Sequence, residues 1–490
     1  MNTKLLKQKI LDLAIRGKLT QQLKSDGTAA DLLKQISEQK RESSSTLSSP
    51  RRRGSPSAQS EKTIIPLDKS EAPFEIPTNW EWVRLGDVAK KITDGTHHSP
   101  VNLETGDFMY VTAKNIKDDG IHLENITYVS SDTHKEIFAR CNPEKGDVLL
   151  IKDGATTGVV TVNNLEEPFS LLSSVALLKL GSSIESWYLA FVIRSTLFNQ
   201  MIRSQMKGVG ITRVTLKQIE SFAFPLPPLA EQQRIVEKIQ EAFAEIDSIE
   251  NNKDLLKTHI KQARQKILDH AIHGKLVPQN KSDESASVLL ERITRDNPHY
   301  EKLTDIPFEI PGSWEWVKLG DVAYIASGST PSKEAFVDKG VPYLKMYNLR
   351  NQQIDFEYKP QYIKREIHEG KLARSKAKPG DVIMNIVGPP LGKVALIPKS
   401  LPECNFNQAA VLIRAHYSTN LMNQYIRYFL LQMDEINSVN TKGTAGQENI
   451  SLTQTQNMRF PLPPLAEQKR IVDRIEEIFA SLDEISLHLV

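Results

Sequence analysis

From Leu229 to His273 the chain carries neither proline nor glycine, and its apolar residues return at steps of three and four. Ile235, Ile239, Ala242, Ile246 and Ile249 begin a seam that Leu256, Ile260, Ala263 and Ile267 continue. That spacing places them on one face of a helix. Pro227 and Pro228 stand before the run, Glu231 falls in its first turn and Gly274 follows it, which are helix start and stop signals. An unbroken helix there would measure roughly 65–70 Å at about 1.5 Å per residue. The run NNKD at Asn251–Asp254 is the expected place for a break. So long a seam needs a second helix to cover it.

Elsewhere the pattern changes. Leu5, Leu6, Ile10, Leu13 and Ala14 keep helical spacing, with Gly17 as a cap, and predict one or two helices over residues 3 to about 40. Residues 73–223 and 307–459 instead carry short β-type runs, such as DVLLI at Asp147–Ile151 and VALLKL at Val175–Leu180. Trp80, Trp82, Val83 and Leu85 are expected to seat a first strand, and helical patterns follow over Trp187–Gln205 and Asn420–Asn437. Each of these bodies is therefore predicted to be mixed α/β or α+β.

The two halves repeat each other. PFEIPTNWEWVRLGDVA at Pro73–Ala89 returns as PFEIPGSWEWVKLGDVA at Pro307–Ala323. FPLPPLAEQQRIVEKIQEAFAEID at Phe224–Asp247 returns as FPLPPLAEQKRIVDRIEEIFASLD at Phe460–Asp483, and QKILDLAIRGKL at Gln8–Leu19 as QKILDHAIHGKL at Gln265–Leu276. Inside the divergent parts, GDVLLIKDGATTGVV from Gly146 keeps frame with GDVIMNIVGPPLGKVAL from Gly380. The first part of the central helix thus recurs at the C-terminus, and its second part at the N-terminus. Side by side, the two ends rebuild a copy of the centre. The predicted fold is α+β, with two mixed α/β domains separated by an antiparallel, coiled-coil-like pair of long helices in a circular, pseudo-two-fold organisation. The ranges are a helical region 1–40, a linker 41–72, a first body 73–223 and a helical region 224–276. A linker 277–306, a second body 307–459 and a closing helix 460–490 complete the chain. Arg41–Lys62 (RESSSTLSSPRRRGSPSAQSEK) is low in complexity and is expected to be flexible. Its Arg51, Arg52 and Arg53 are expected to decorate that linker rather than make specific contacts.

A chain of 490 residues suits two to four domains, and 39% hydrophobic with 25% charged residues is ordinary for a soluble globular protein. No run approaches the roughly 18 apolar residues of a membrane span. The first residues lack a signal peptide's apolar stretch. Cys141 and Cys404 do not occupy equivalent repeat positions, so no disulfide framework is expected. These features point to the cytoplasm. A net charge of +2 requires any basic surface to be local.

The PLPPLAEQ blocks at Pro225 and Pro461, the W-x-W-V-x-L-G blocks at Trp80 and Trp314, and the QKIL-x-x-AI-x-GKL blocks, in this order and duplication, resemble the specificity subunits of type I restriction–modification systems. The resemblance covers nearly the whole chain apart from Arg41–Lys62. It implies that each body is a target recognition domain reading half of a bipartite sequence in double-stranded DNA, with the helices as ruler and docking surface for two modification subunits. It also implies a non-catalytic chain without cofactors of its own. S-adenosylmethionine, ATP and Mg²⁺ would be held by modification subunits that methylate adenine N6 and by translocating restriction subunits. The alternative from another class is a coiled-coil scaffold displaying two protein-binding domains, without salt-dependent DNA affinity. A free-standing DNA methyltransferase is a third possibility.

Sequence reading needs Arg, Lys, Asn and Gln at base edges, with phosphate contacts to hold register. The loops of the first body offer Lys114, Asn115, Lys117, Lys152, Lys207 and Arg213 for DNA binding. Those of the second offer Lys345, Asn348, Arg350, Lys393, Lys442, Gln447 and Asn449. Glycines at 208, 210, 443 and 446 would let backbone approach phosphate. Each of these residues could equally be a solvated turn residue. Trp80, Trp82, Trp314 and Trp316 belong to the shared block and are expected in the core rather than on bases. DNPHY at Asp296–Tyr300 approaches an amino-methyltransferase motif but lacks the glycine-rich cofactor turn. GPPLGK at Gly388–Lys393 is a residue short of a phosphate loop and is followed by Val394 instead of Ser or Thr. GVGITR at Gly208–Arg213 fails the dinucleotide pattern, and adjacent His97 and His98 suit a metal poorly.

Overall fold

The computed structural model describes residues 2–45, 64–68, 70–205, 213–295, 300–388, 391–432 and 449–489. The chain divides into two compact units, 1–252 and 253–490.

In the first unit the helix Thr3–Ile15 ends where Gly17 turns to φ 63°. The Gly17 N–H donates to the Ala14 carbonyl at 3.0 Å and Lys18 N–H to the Leu13 carbonyl at 2.9 Å, so the orphan carbonyls of the last turn are capped. A second helix, Ala29–Ser45, runs into the range expected to be linker. The strand Glu81–Arg84 then pairs antiparallel with Ala223–Leu226, setting Trp82 opposite Pro225. Between those two blocks lies the body. A four-stranded antiparallel sheet has the order Lys91–Asp94, Val175–Lys179, Val148–Ile151, Val160–Val162. All four residues of Val148–Ile151 are buried, which is why that strand reads as a continuous apolar run without alternation. A smaller sheet joins Phe108–Val111 to Thr127–Val129 and, in parallel, to Ser170–Leu171. The helical pattern over Trp187–Gln205 forms two helices, Ser186–Arg194 and Thr196–Gln205, separated at Ser195, whose hydroxyl donates to the Val192 carbonyl at 2.7 Å.

The second unit repeats this plan. Glu315–Lys318 pairs with Arg459–Leu462, Trp316 opposite Pro461. The four-stranded sheet has the order Ala323–Ser327, Ala410–Ala415, Val382–Asn385, Val394–Leu396. Val341–Leu344 pairs in parallel with Asn405–Phe406, and the helix Thr419–Leu431 packs behind. The range 277–306 contains a nine-residue helix, Ala286–Thr294, which buries Ala286, Leu289 and Leu290.

The central helix Leu229–Ile272 is one element of 44 residues. Helical backbone continues through Asn251–Asp254, contrary to the expected break. Asn and Asp disfavour a helix interior by only about 0.7 kcal/mol each, so without Gly or Pro they do not end one. Its first part, in the first unit, meets the opening helix. Thr3 donates to Glu250, Lys7 pairs with Asp247, and further along Arg234 pairs with Asp26 at 2.6 Å. Partner numbers fall as the others rise, so the pairing is antiparallel. In the second unit Arg264 pairs with Asp483 at 2.6 Å and Arg470 with Asp283 at 2.6 Å, again antiparallel. Lys7 and Arg264 occupy equivalent places in their repeats, as do Asp247 and Asp483.

No helix among the described residues is long and apolar enough to cross a membrane. Cys141 and Cys404 are both free and buried.

Candidate nucleic-acid interface

Each body is keyed to the helix that follows it by one buried contact. The strand after Trp80 pairs with the residues leading into the central helix, which brings the indole over that helix's first turn. There Trp80 Nε1–H donates to Glu231 Oε2 at 2.9 Å, and Trp314 Nε1–H donates to Glu467 Oε2 at 3.0 Å. Both carboxylates are inaccessible, Glu231 at 0% and Glu467 at 1% exposure. Burial pushes the Glu467 carboxyl up, while the donors Trp314 and Gln279 pull it back. Tyr188 and Tyr425 donate their hydroxyls to the Pro225 and Pro461 carbonyls, at 2.9 and 3.1 Å. Gln232 and Gln468 reach the Pro227 and Pro463 carbonyls, both at 2.9 Å. The tryptophan block and the PLPPLAEQ block are therefore two halves of one joint. Its tryptophans lie in the core as expected: Trp80, Trp82, Trp314 and Trp316 are all buried.

The candidate DNA-contacting residues divide by side-chain direction. Lys114 and Lys117 are exposed on a turn that Asn115 holds from inside. Asn115 is buried; its Oδ1 accepts from the Thr112 N–H at 3.1 Å, and its Nδ2 donates to the His122 carbonyl at 3.1 Å. Asn348 does the same work in the second body, accepting from the Lys345 N–H at 2.9 Å and donating to the Asp355 and Tyr358 carbonyls at 3.0 and 2.8 Å. These two asparagines spend their amides on the framework and hold their turns from inside. Lys152 is likewise turned inward. It is buried, with its ammonium between Asp94 at 3.5 Å and Asp153 at 3.2 Å.

Arg350 is exposed, its guanidinium 4.2 Å from the Tyr358 ring centroid and 3.8 Å from Asp355. Lys345 is half-buried, with its ammonium 5.7 Å from the Phe336 ring centroid. Lys393 is half-buried after the sheet's turn. Arg213 is exposed, 3.6 Å from Asp153, and Asn449 bridges to Val387. Lys207, Lys442, Gln447 and the four loop glycines lie outside the described residues, as do Arg51–Arg53 and most of DNPHY. His97 sits 3.3 Å from Asp94, and no cluster of three metal-ligating side chains occurs among the described residues. The sequence reading missed the carboxylate partners Glu231 and Glu467. Each stands in the repeated LAEQ, a block that does not by itself say which way its glutamate points.

Two copies of one α+β body, each locked to its own stretch of paired helix and each presenting different loops, define a two-headed recognition subunit. The profile of the type I restriction modification DNA specificity domain matches residues 77–258 and 311–487. The chain belongs to that family, and its function is that of a DNA specificity subunit. It is 24% identical to the EcoAI specificity subunit of Escherichia coli, over 98% of this chain and 90% of that one. It is 26% identical to the MjaVIII specificity subunit of Methanocaldococcus jannaschii, over 83% and 87%. The crystal structure of an HsdS subunit from Thermoanaerobacter tengcongensis shares the fold, with a TM-score of 0.55 and 20% identity over 86% of this chain and 94% of that one.

Proposed function

We propose that the body 73–223 reads one half of a bipartite target in duplex DNA and the body 307–459 the other. The helices fix the unread gap between the halves and dock two modification subunits, which restriction subunits join. The observation that carries this reading is the combination of an identical frame with different faces. The joints, the four-stranded sheets and the asparagine-held turns recur at equivalent positions, while loop residues differ between the bodies. Base edges are distinguished by donor and acceptor pattern, so two different faces suit two different half-sites. A helical spacer lets the intervening base pairs be measured without being read.

The chain aims chemistry and performs none. Methylating a base within a duplex requires flipping it out, which falls to the partner's pocket, and S-adenosylmethionine, ATP and Mg²⁺ reside on the partner subunits. The compartment is the cytoplasm, where such a complex meets DNA. Duplex binding by the assembled complex, titrated against salt, tests this reading. A reader loses affinity by orders of magnitude as salt rises, because phosphate contacts release counterions. A protein-binding scaffold shows no such affinity at any salt.

A further inference from the structure

In the second body, four chain segments meet beyond one end of the four-stranded sheet, tied by backbone hydrogen bonds and by the Thr330 hydroxyl, which donates to Gln408 Oε1. The Gly328 N–H donates to the Ala410 carbonyl at 3.0 Å and Ser329 N–H to the Phe406 carbonyl at 3.1 Å. The Ile386 N–H donates to the Ala409 carbonyl at 2.8 Å, Ile450 N–H donates to the Ile386 carbonyl at 2.9 Å, and Val387 bridges to Asn449. The first body repeats this junction at equivalent positions, apart from the Gly328 tie. Thr96 N–H reaches the Leu171 carbonyl at 2.8 Å, Lys152 N–H the Ser174 carbonyl at 2.9 Å and Val214 N–H the Lys152 carbonyl at 2.9 Å, with Asp153 bridging to Arg213. The close approach needs glycine in both. A Cβ on Gly95 would lie 1.9 Å from the Leu171 carbonyl oxygen, and one on Gly328 2.2 Å from that of Asn407.

These backbone ties recur although the side chains around them differ. His97, Ser173 and Arg213 in the first body stand where Thr330, Gln408 and Asn449 stand in the second. Both junctions also hold buried polar atoms lacking a hydrogen-bond partner among the described residues: Asp153 Oδ1 and Ser174 Oγ in one, Asn407 Oδ1 and Asn449 Oδ1 in the other. Asp153 Oδ1 keeps only a 3.6 Å ion contact with Arg213. Folded chains pair nearly all such atoms, so each of these calls for a partner such as a water or a bound ligand.

We propose that this junction is the base-reading edge of each body. Gln408 takes an A·T pair of the second half-site, and Arg213 takes a G·C pair of the first. The assignment rests on the DNA-reading role proposed above and adds its location and chemistry. A carboxamide presents the donor and acceptor that match adenine N6–H and N7, and a guanidinium matches guanine O6 and N7. Gln408 and Arg213 are exposed, so replacing them leaves the backbone ties intact.

The test is selection from a randomised duplex library by the full chain assembled with its modification subunits. Gln408→Ala should select the unchanged first half and gap, with preference at one A·T position of the second half reduced about ten-fold. Arg213→Ala should do the converse at one G·C position of the first half. Thermal unfolding matching the unsubstituted chain establishes that both variants are folded. Variants that assemble and select the original motif at full preference overturn the assignment, as does an equal loss of affinity for every sequence. If the unsubstituted complex selects no motif, the DNA-reading role itself fails, which is a different result.

Discussion

Trp80 donates its indole N–H to the buried carboxylate of Glu231, at the start of the helix that follows its own body, and Trp314 repeats this with Glu467. A buried carboxylate is costly unless its oxygens are paired. Each body thus has one orientation on its helix in which that cost is met, which gives the molecule a rigid base for reading. Trp314→Phe keeps an aromatic ring, smaller than the indole, and deletes the donor. It is expected to cost about 1–3 kcal/mol in denaturant unfolding, because an acceptor is left buried and one partner short. A change within experimental scatter would show that neither the hydrogen bond nor the packing of the indole's second ring contributes to stability.

The same carboxylate should make stability depend on pH. Burial holds the Glu467 carboxyl above its ordinary value of 4.5. Folding therefore favours its protonated form. The stability this contributes is full below the unfolded value and is lost as pH rises through the raised folded value. Glu467→Gln removes that titration while keeping an oxygen for the indole. The stability difference between the variant and the unsubstituted chain should move in the variant's favour from pH 4.5 toward neutrality. A difference that stays flat over that range would place the titration elsewhere.

Gly17 and Gly274 close equivalent helices at φ 63° and 65°, and a Cβ on either would lie 2.3 Å from Cγ of Pro77 or Pro311. Two independent constraints demand glycine at each site. Gly17→Ala and Gly274→Ala are each expected to destabilise by more than about 1 kcal/mol. Pro77→Ala should restore part of the first loss, since it removes the clash but not the backbone strain. No recovery in a double-variant cycle would mean that φ alone sets the cost.

Burial pushes the Cys141 thiol up to about 12, and Cys404 is raised further by the same cause. Thiolate is the reactive form, so neither should be alkylated by iodoacetamide at pH 8 in the folded protein, and both should be after unfolding. Native-state labelling of either one, read by mass spectrometry, would show that its unit opens locally.

The repeats, the central helix and the core position of the tryptophans were legible in the sequence because each rests on periodicity or duplication. The carboxylate partners were not, since LAEQ alone does not say that Glu231 faces inward on a first turn. The helix Ala286–Thr294 was read as linker, although SASVLLERI echoes the TAADLLKQI of the equivalent first-unit helix. Lys152 and Asn115 show the limit for site residues. Composition identifies groups able to bind DNA but not which way a strand end or turn points them, and both point inward. The continuity at Asn251–Asp254 shows that four polar residues are a weak stop signal.

The central claim is that two different readers share one ruler, and the most direct test is the methylation map of DNA from cells expressing this chain with its modification subunit. The account predicts a split motif with N6-methyladenine in each half and a fixed, unread gap. Exchanging residues 90–223 for those of a relative should change one half alone. A contiguous motif, an exchange that alters both halves, or no methylation by a complex shown to assemble and to bind S-adenosylmethionine would contradict it.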